Sequence, residues 1–86
     1  MQYTQAEFLQ LIQQYNSTDR KVIKANLKRI MDIYNIKPAD IISLGYSHRN
    51  VYAWTNKSTN NIPLFEQALT ISVKFNFDIT EFIKNN

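Results

Sequence analysis

The residues best suited to a chemical task lie in one short segment that begins just after the only glycine, Gly45. An arginine guanidinium in this segment can bond to guanine O6 and N7 together, and an asparagine amide can pair with adenine. One helical turn further on, a methyl group or an aromatic ring could meet a thymine methyl. The residue types therefore favour contact with the base edges of DNA. The candidate base contacts are His48, Arg49, Asn50, Tyr52 and Ala53.

Polar residues at both ends of this segment suit a second task, which is contact with phosphate oxygens. Hydroxyl, amide and ammonium groups make such contacts, and these fix the register of a protein on the duplex without specifying sequence. The candidate backbone contacts are Ser47, Asn56, Lys57, Ser58 and Asn60. Each of them could instead be an ordinary solvated loop residue. Likewise, Arg49 could make a single phosphate contact, and His48 could simply face solvent.

Positive charge is concentrated in the same part of the chain. The net charge of the whole chain is +3, whereas residues 20–57 hold eight lysine or arginine residues against two aspartates. A basic region of this kind is expected of a protein that binds a polyanion. For Lys21, Lys24 and Lys28, the alternative is an ordinary solvated helix face.

The sequence offers little for catalysis or for a metal or cofactor. It has no cysteine, one histidine and one glycine, which excludes thiolate sites, multi-histidine metal sites and glycine-rich phosphate loops. Ser47 and His48 are adjacent, but consecutive helical residues point about 100° apart and so do not face each other. We therefore expect no enzyme activity, no metal and no cofactor.

Two short helices should position the polar segment. Pro38 suits the first position of a helix, where its missing N–H is not needed. Gly45 suits a helix stop that needs a positive φ, and Ser47 is a good N-cap for the next helix. The pattern predicts helices over about 38–44 and 48–56, joined by a sharp turn.

Periodic apolar residues predict further helices over about 5–15, 20–34 and 63–75, with a last helical turn over about 79–84. Thr4 and Glu7 form a capping box before the first of these helices, and Asn35 suits a left-handed residue at the end of the second. No alternating strand pattern is present, so the prediction is an all-α, five-helix single domain over 1–86. The residues expected to face inward are Phe8, Leu11, Ile12, Tyr15, Ile23, Leu27, Ile30, Met31, Tyr34, Val51, Trp54, Leu64, Phe65, Ala68, Ile71, Phe75, Phe77 and Phe82.

Residues 36–54 resemble the helix-turn-helix of the Cro/repressor (XRE-like) family of phage and bacterial regulators. The segment 26–36 is similar to the first helix of that family, and 62–83 to its closing segment, so the resemblance covers roughly residues 20–83. It implies a Cro/repressor-like domain with an added N-terminal helix and a motif at about 37–56. Positions that match His48, Arg49 and Ala53 most often face bases in the family. The added helix is expected to be either a lid over the second and fifth helices or a dimerisation arm.

The resemblance implies a sequence-specific transcriptional regulator that binds duplex DNA, with the helix at about 48–56 in the major groove. A homodimer is expected, at least on DNA, through residues Tyr3, Leu9, Phe77, Phe82 and Ile83. No apolar run is long enough to span a membrane, no signal peptide pattern is present, and no effector domain is evident. We therefore expect a cytoplasmic protein with no membrane partner and no small-molecule ligand.

Two other functions fit the same fold. One is a protein-interaction module, such as an antitoxin, an anti-repressor or an inhibitor of a nucleic-acid enzyme. The other is a DNA-recruiting subunit of a recombinase or packaging enzyme, since the ending Val-Tyr-Ala-Trp is reminiscent of helix-turn-helix segments in transposases and terminase small subunits.

Overall fold

The computed structural model describes residues 3–85, so positions 1, 2 and 86 of the predicted domain lie outside the described residues. This part of the chain contains helices and no strand, which confirms the all-α, five-helix prediction. The elements are α1 (Gln5–Ser17), α2 (Arg20–Ile33), α3 (Pro38–Ile42), α4 (His48–Thr55), α5 (Phe65–Lys74) and a final 3₁₀ turn (Ile79–Phe82).

Local capping sets where the first two helices begin. The Thr4 hydroxyl accepts a hydrogen bond from the Glu7 backbone N–H at 3.1 Å, and the Glu7 carboxylate accepts one from the Thr4 N–H at 2.9 Å. These bonds satisfy two N–H groups that no helical carbonyl can reach. The bond from the Thr4 backbone also lowers the pKa of Glu7. Asp19 caps α2 in a similar way, accepting from the Lys21 N–H at 2.8 Å.

Left-handed residues reverse the chain after α2 and after α5. Asn35 and Asn76 have φ values of 54° and 60°. After each of them the next N–H reaches back to the carbonyl five residues earlier, at 2.9 Å from Ile36 to Met31 and 2.9 Å from Phe77 to Ser72. This pattern is a Schellman ending, for which asparagine is the usual substitute for glycine. The prediction for Asn35 is confirmed.

The core forms where α2 packs against α4 and the 3₁₀ turn, and the same turn packs against α5. Ile23, Ile30 and Ile71 are fully buried, as is Phe82 from the last turn. The buried amide of Asn26 donates to the carbonyls of Phe82 and Lys84 at 2.8 Å each, so α2 holds the end of the described chain. The buried apolar residues are Leu11, Tyr15, Ile23, Leu27, Ile30, Ile36, Ile41, Val51, Trp54, Phe65, Ala68, Ile71, Phe77, Ile79 and Phe82.

The N-terminal helix α1 contributes to this core by packing against α5. Tyr15 is buried, its ring lies edge-on to Phe65 at 5.6 Å, and its hydroxyl donates to the Pro63 carbonyl at 2.5 Å. Burial raises the pKa of Tyr15. Phe8 makes a second edge-on contact with Phe65 at 5.8 Å. This packing supports the lid interpretation of α1.

Two inward predictions are wrong, and both concern residues at helix ends. Leu64 is 64% exposed because α5 begins at Phe65, so Leu64 is its N-cap and lies outside the helical repeat. Tyr34 is 41% exposed because it is the C-cap of α2, where it stacks on the ring of Phe77 at 5.1 Å. Phe8, Ile12, Met31 and Phe75 are only partly buried and pack against the edge of the core.

The predicted dimer surface is also wrong as a set. Phe77 and Phe82 belong to the core, since they are 5% and 0% exposed. Tyr3 is half-buried and donates to the Asp78 carboxylate at 2.8 Å, and Ile83 packs against the core. Of the five residues, Leu9 alone is well exposed. This surface was expected from apolar residues near the two ends of the chain, but the closing turn packs on α2.

Candidate nucleic-acid interface

The candidate site is the outward side of α4, and its N-cap and two buried residues orient it. Ser47 has extended backbone angles, and its hydroxyl accepts from the Asn50 N–H at 3.1 Å. Val51 and Trp54 are 0% and 5% exposed, as predicted. The indole lies edge-on to the ring of Tyr46 at 5.4 Å, in the turn before the helix. These contacts fix the rotation of α4 about its axis.

Helical periodicity then decides which side chains point away from the protein. At about 100° per residue, Arg49 lies almost opposite the midpoint between Val51 and Trp54. Tyr52 and Ala53 flank Arg49 on this outward side. The structure therefore brings the predicted base contacts onto one helix, with His48, Arg49, Asn50 and Tyr52 exposed and Ala53 half-buried.

His48 and Tyr52 lie one turn apart and contact each other. Their rings are stacked at 6.3 Å with an interplanar angle of 29°. Tyr52 is 56% exposed, so the pair forms a flat ridge along one edge of the outward side. Asn50 lies at the other edge, about 40° from the direction of Trp54 by the helical repeat. Arg49 is consequently the candidate with the least obstructed path to a ligand.

The predicted backbone contacts are exposed, and several of them already make local hydrogen bonds. The side-chain oxygen of Asn56 accepts hydrogen bonds from the Ser58 N–H at 3.0 Å and from the Ser58 hydroxyl at 2.9 Å. Asn60 uses its backbone carbonyl to accept from Arg20 at 3.0 Å. The Lys57 ammonium has no hydrogen bond or ion pair within residues 3–85. Lys57 is therefore the most available cation in the loop.

The C-terminal end of α4 is held by Lys24 of α2, which the sequence predicted to be either a polyanion-binding cation or part of a solvated helix face. The Lys24 ammonium donates to the carbonyls of Ala53 at 2.9 Å, Trp54 at 3.0 Å and Asn61 at 2.7 Å. Thr59 also contributes, since its hydroxyl bonds to the Ala53 carbonyl. An ammonium at the negative end of a helix dipole is favourable. Desolvation by burial lowers the pKa of Lys24.

Two further cations in the basic region also have internal roles. The Arg29 guanidinium donates to the side-chain carboxylate of Glu81 at 3.0 Å and to the backbone carbonyl of Glu81 at 2.8 Å. Lys84 pairs with the same carboxylate at 2.8 Å. Arg20 bonds to the loop after α4, as described above. The lysines and arginine of residues 20–57 that have no such partner in the described part of the chain are Lys21, Lys28, Lys37, Arg49 and Lys57.

Residues 3–85 contain no group of three or more side chains suited to hold a metal ion. Within the same range, no helix combines the length and apolar character needed to cross a membrane. Comparison with protein-family models found no match, and no curated protein or solved structure matches the chain significantly.

Proposed function

We propose that this protein is a sequence-specific, duplex-DNA-binding transcriptional regulator of the Cro/repressor (XRE-like) type. In this proposal α3 and α4 form the helix-turn-helix, and α4 enters the major groove. The observation that carries it is the orientation of α4, whose buried pair Val51 and Trp54 leaves Arg49 at the centre of an exposed polar face. Such a face has the hydrogen-bonding groups that base edges require.

The dimensions of α4 agree with this role. Eight residues span about 12 Å at 1.5 Å per residue, and the major groove is about 12 Å wide. A helix of this length reaches only a few base pairs. So few base pairs are too little for genomic specificity. The proposal therefore includes a two-fold dimer on DNA. Two copies of α4 would then meet successive major grooves about 34 Å apart, with half-site centres about 10–11 base pairs apart.

The proposed dimer cannot use the surface first expected, because Phe77 and Phe82 are buried. Large apolar side chains that are exposed elsewhere are Leu9, Ile33, Tyr34, Tyr52, Leu64 and Val73. Tyr52 belongs to the face proposed for DNA, so contacts between subunits must come from the remaining surface.

Selection of bound sequences from random duplex DNA tests the proposal. The expected result is an enriched site containing a G·C pair that Arg49 reads, arranged as an inverted repeat. Gel-shift stoichiometry on that site should give two chains per duplex. No enrichment over the starting pool would overturn the proposed function, and one chain on a site without symmetry would overturn the dimer.

A further inference from the structure

A basic cavity lies beside α2, away from the centre of the outward side of α4. Its volume is about 630 Å³, and it is lined by α2, by the turn that leads into α3, and by the end of α4. That volume falls within the range of small-molecule sites, which is roughly 300–1,000 Å³. Arg49 and the other candidate base contacts do not line it. The cavity is therefore separate from the base-contacting face, although Lys57, one of the candidate backbone contacts, lines it.

Five lysines and one acid, Asp32, line this cavity. The Lys24 ammonium is already bonded to the end of α4. The other four lysines have ammonium groups without a hydrogen bond or ion pair anywhere in residues 3–85. These four are Lys21, Lys28, Lys37 and Lys57. Like charges around one cavity repel each other, so an anion that enters it relieves that repulsion as well as gaining direct attraction.

The remaining lining is largely apolar. Met31 is half-buried, and Ile36 and Trp54 are buried apart from edges that reach the cavity. Pro38 adds a ring from the start of α3. An inorganic anion would leave this apolar surface uncovered. A ligand with an apolar or aromatic body would cover it and gain from the area removed from water.

We propose that the cavity between α2, the α2–α3 turn and the end of α4 binds a small phosphate monoester with a flat apolar body, of the size of a mononucleotide. A phosphate monoester carries about −1.5 to −2 charges at neutral pH. It therefore matches several unpaired ammonium groups better than a carboxylate with a single charge does. The phosphate lies among the lysines, and the body lies against Met31 and Pro38. This site would exist whether or not α4 binds DNA.

Calorimetric titration of the protein with adenosine 5′-monophosphate tests the assignment, with adenosine and inorganic phosphate as partial ligands. Trp54 is the single tryptophan, so its fluorescence should change in parallel. We expect the monophosphate to bind about tenfold tighter than either partial ligand. Equal affinity for adenosine and the monophosphate would overturn the phosphate assignment, and equal affinity for inorganic phosphate would overturn the role of the apolar body.

Charge-removing variants locate the site. Lys21 and Lys28 are exposed on α2, so the double variant Lys21→Gln/Lys28→Gln should fold normally. We expect it to bind the monophosphate about tenfold weaker, at about threefold for each lysine removed. The control Lys74→Gln removes an exposed cation that does not line the cavity and should leave affinity unchanged. Equal losses of affinity in the double variant and in Lys74→Gln would show non-specific attraction between charges and would overturn the proposed site.

Two sources could supply this phosphate chemistry, namely a free mononucleotide or the end of a nucleic-acid strand. A single-stranded oligonucleotide with a 5′-phosphate therefore competes against the monophosphate. If the monophosphate binds more tightly than the strand and its affinity depends on the lysines, the ligand is a free nucleotide. If the strand binds more tightly, the ligand is the end of a nucleic-acid strand. Arg49→Ala separates this proposal from the proposed function, because it should impair selective DNA binding while leaving the affinity for the monophosphate unchanged.

Discussion

The two ends of α4 differ in how their polar groups are used. At the N-terminal end, Arg49 and Asn50 project into solvent from a helix that starts at the Ser47 cap. At the C-terminal end, Lys24 donates to the carbonyls of Ala53 and Trp54, so the helix terminus is bonded to α2. A rigid anchor at one end lets the other end present side chains in a defined direction, which is what selective binding requires.

The largest effect should follow from removing the indole beneath the helix. Trp54→Ala deletes a side chain that is 5% exposed and should lower the free energy of unfolding by roughly 3–5 kcal/mol. Urea denaturation followed by circular dichroism measures this change. The matched control Tyr52→Ala removes an exposed ring from the same helix and should change stability by less than about 1 kcal/mol. A Trp54→Ala protein that unfolds at the parent midpoint would show that the anchored end is not held by packing.

A smaller loss should follow from removing the cation that caps α4. Lys24→Met keeps the aliphatic stem but leaves the carbonyls of Ala53 and Trp54 without their ammonium donor, so we expect a loss of roughly 1–3 kcal/mol. Amide hydrogen exchange should quicken at the end of α4 more than in α5. The control Lys21→Met changes an exposed lysine on the same helix. Equal losses in the two variants would contradict the distinction between the internally bonded lysine and the free one.

The smallest effect concerns the ion pair between Arg29 and Glu81, and it depends on pH. Hydrogen bonds from Lys84 and then Arg29 lower the pKa of Glu81 from its ordinary value of 4.5. The ionised Glu81 carboxylate therefore stabilises the fold above its ordinary pKa. This contribution disappears as pH falls through the lower pKa of Glu81 in the folded state. Glu81→Gln should reduce stability at neutral pH by less than about 1 kcal/mol and should weaken the loss of stability in acid.

The control for this pH experiment is Asp32→Asn, because Asp32 is exposed and has no ion pair within the described residues. Thermal unfolding at several pH values, from neutral to acidic, would compare both variants with the parent. If stability falls equally with decreasing pH in the parent and in Glu81→Gln, the stabilising role of the ion pair is contradicted.

Features that depend on neighbouring residues could be predicted from the sequence. The Ser47 cap, the Thr4–Glu7 capping box and the left-handed Asn35 each involve groups within a few residues. The same holds for the burial of Trp54, which follows from its helical spacing relative to Val51. Local hydrogen bonding and periodicity suffice in these cases.

Features that depend on distant residues could not be predicted. Lys24 bonds to carbonyls about 30 residues away, and Arg29 pairs with Glu81 more than 50 residues away. Both cations lie in the basic region of residues 20–57, and composition does not show which charges have internal partners. The packing of the last turn on α2 is a further long-range feature. Phe77 and Phe82 were correctly expected to face inward, and their burial is incompatible with the dimer surface that was also expected to include them.

The central claim is that α4 reads DNA through Arg49, and one comparison of two variants tests it most directly. Binding of the parent, Arg49→Ala and Lys57→Ala to the selected site and to random duplex would be measured at several salt concentrations. Arg49→Ala should cost roughly 1–3 kcal/mol on the selected site and flatten preference at one G·C pair. Lys57→Ala should weaken all duplexes about equally and reduce the salt slope by about one unit. Equal losses on selected and random DNA for Arg49→Ala would contradict the claim.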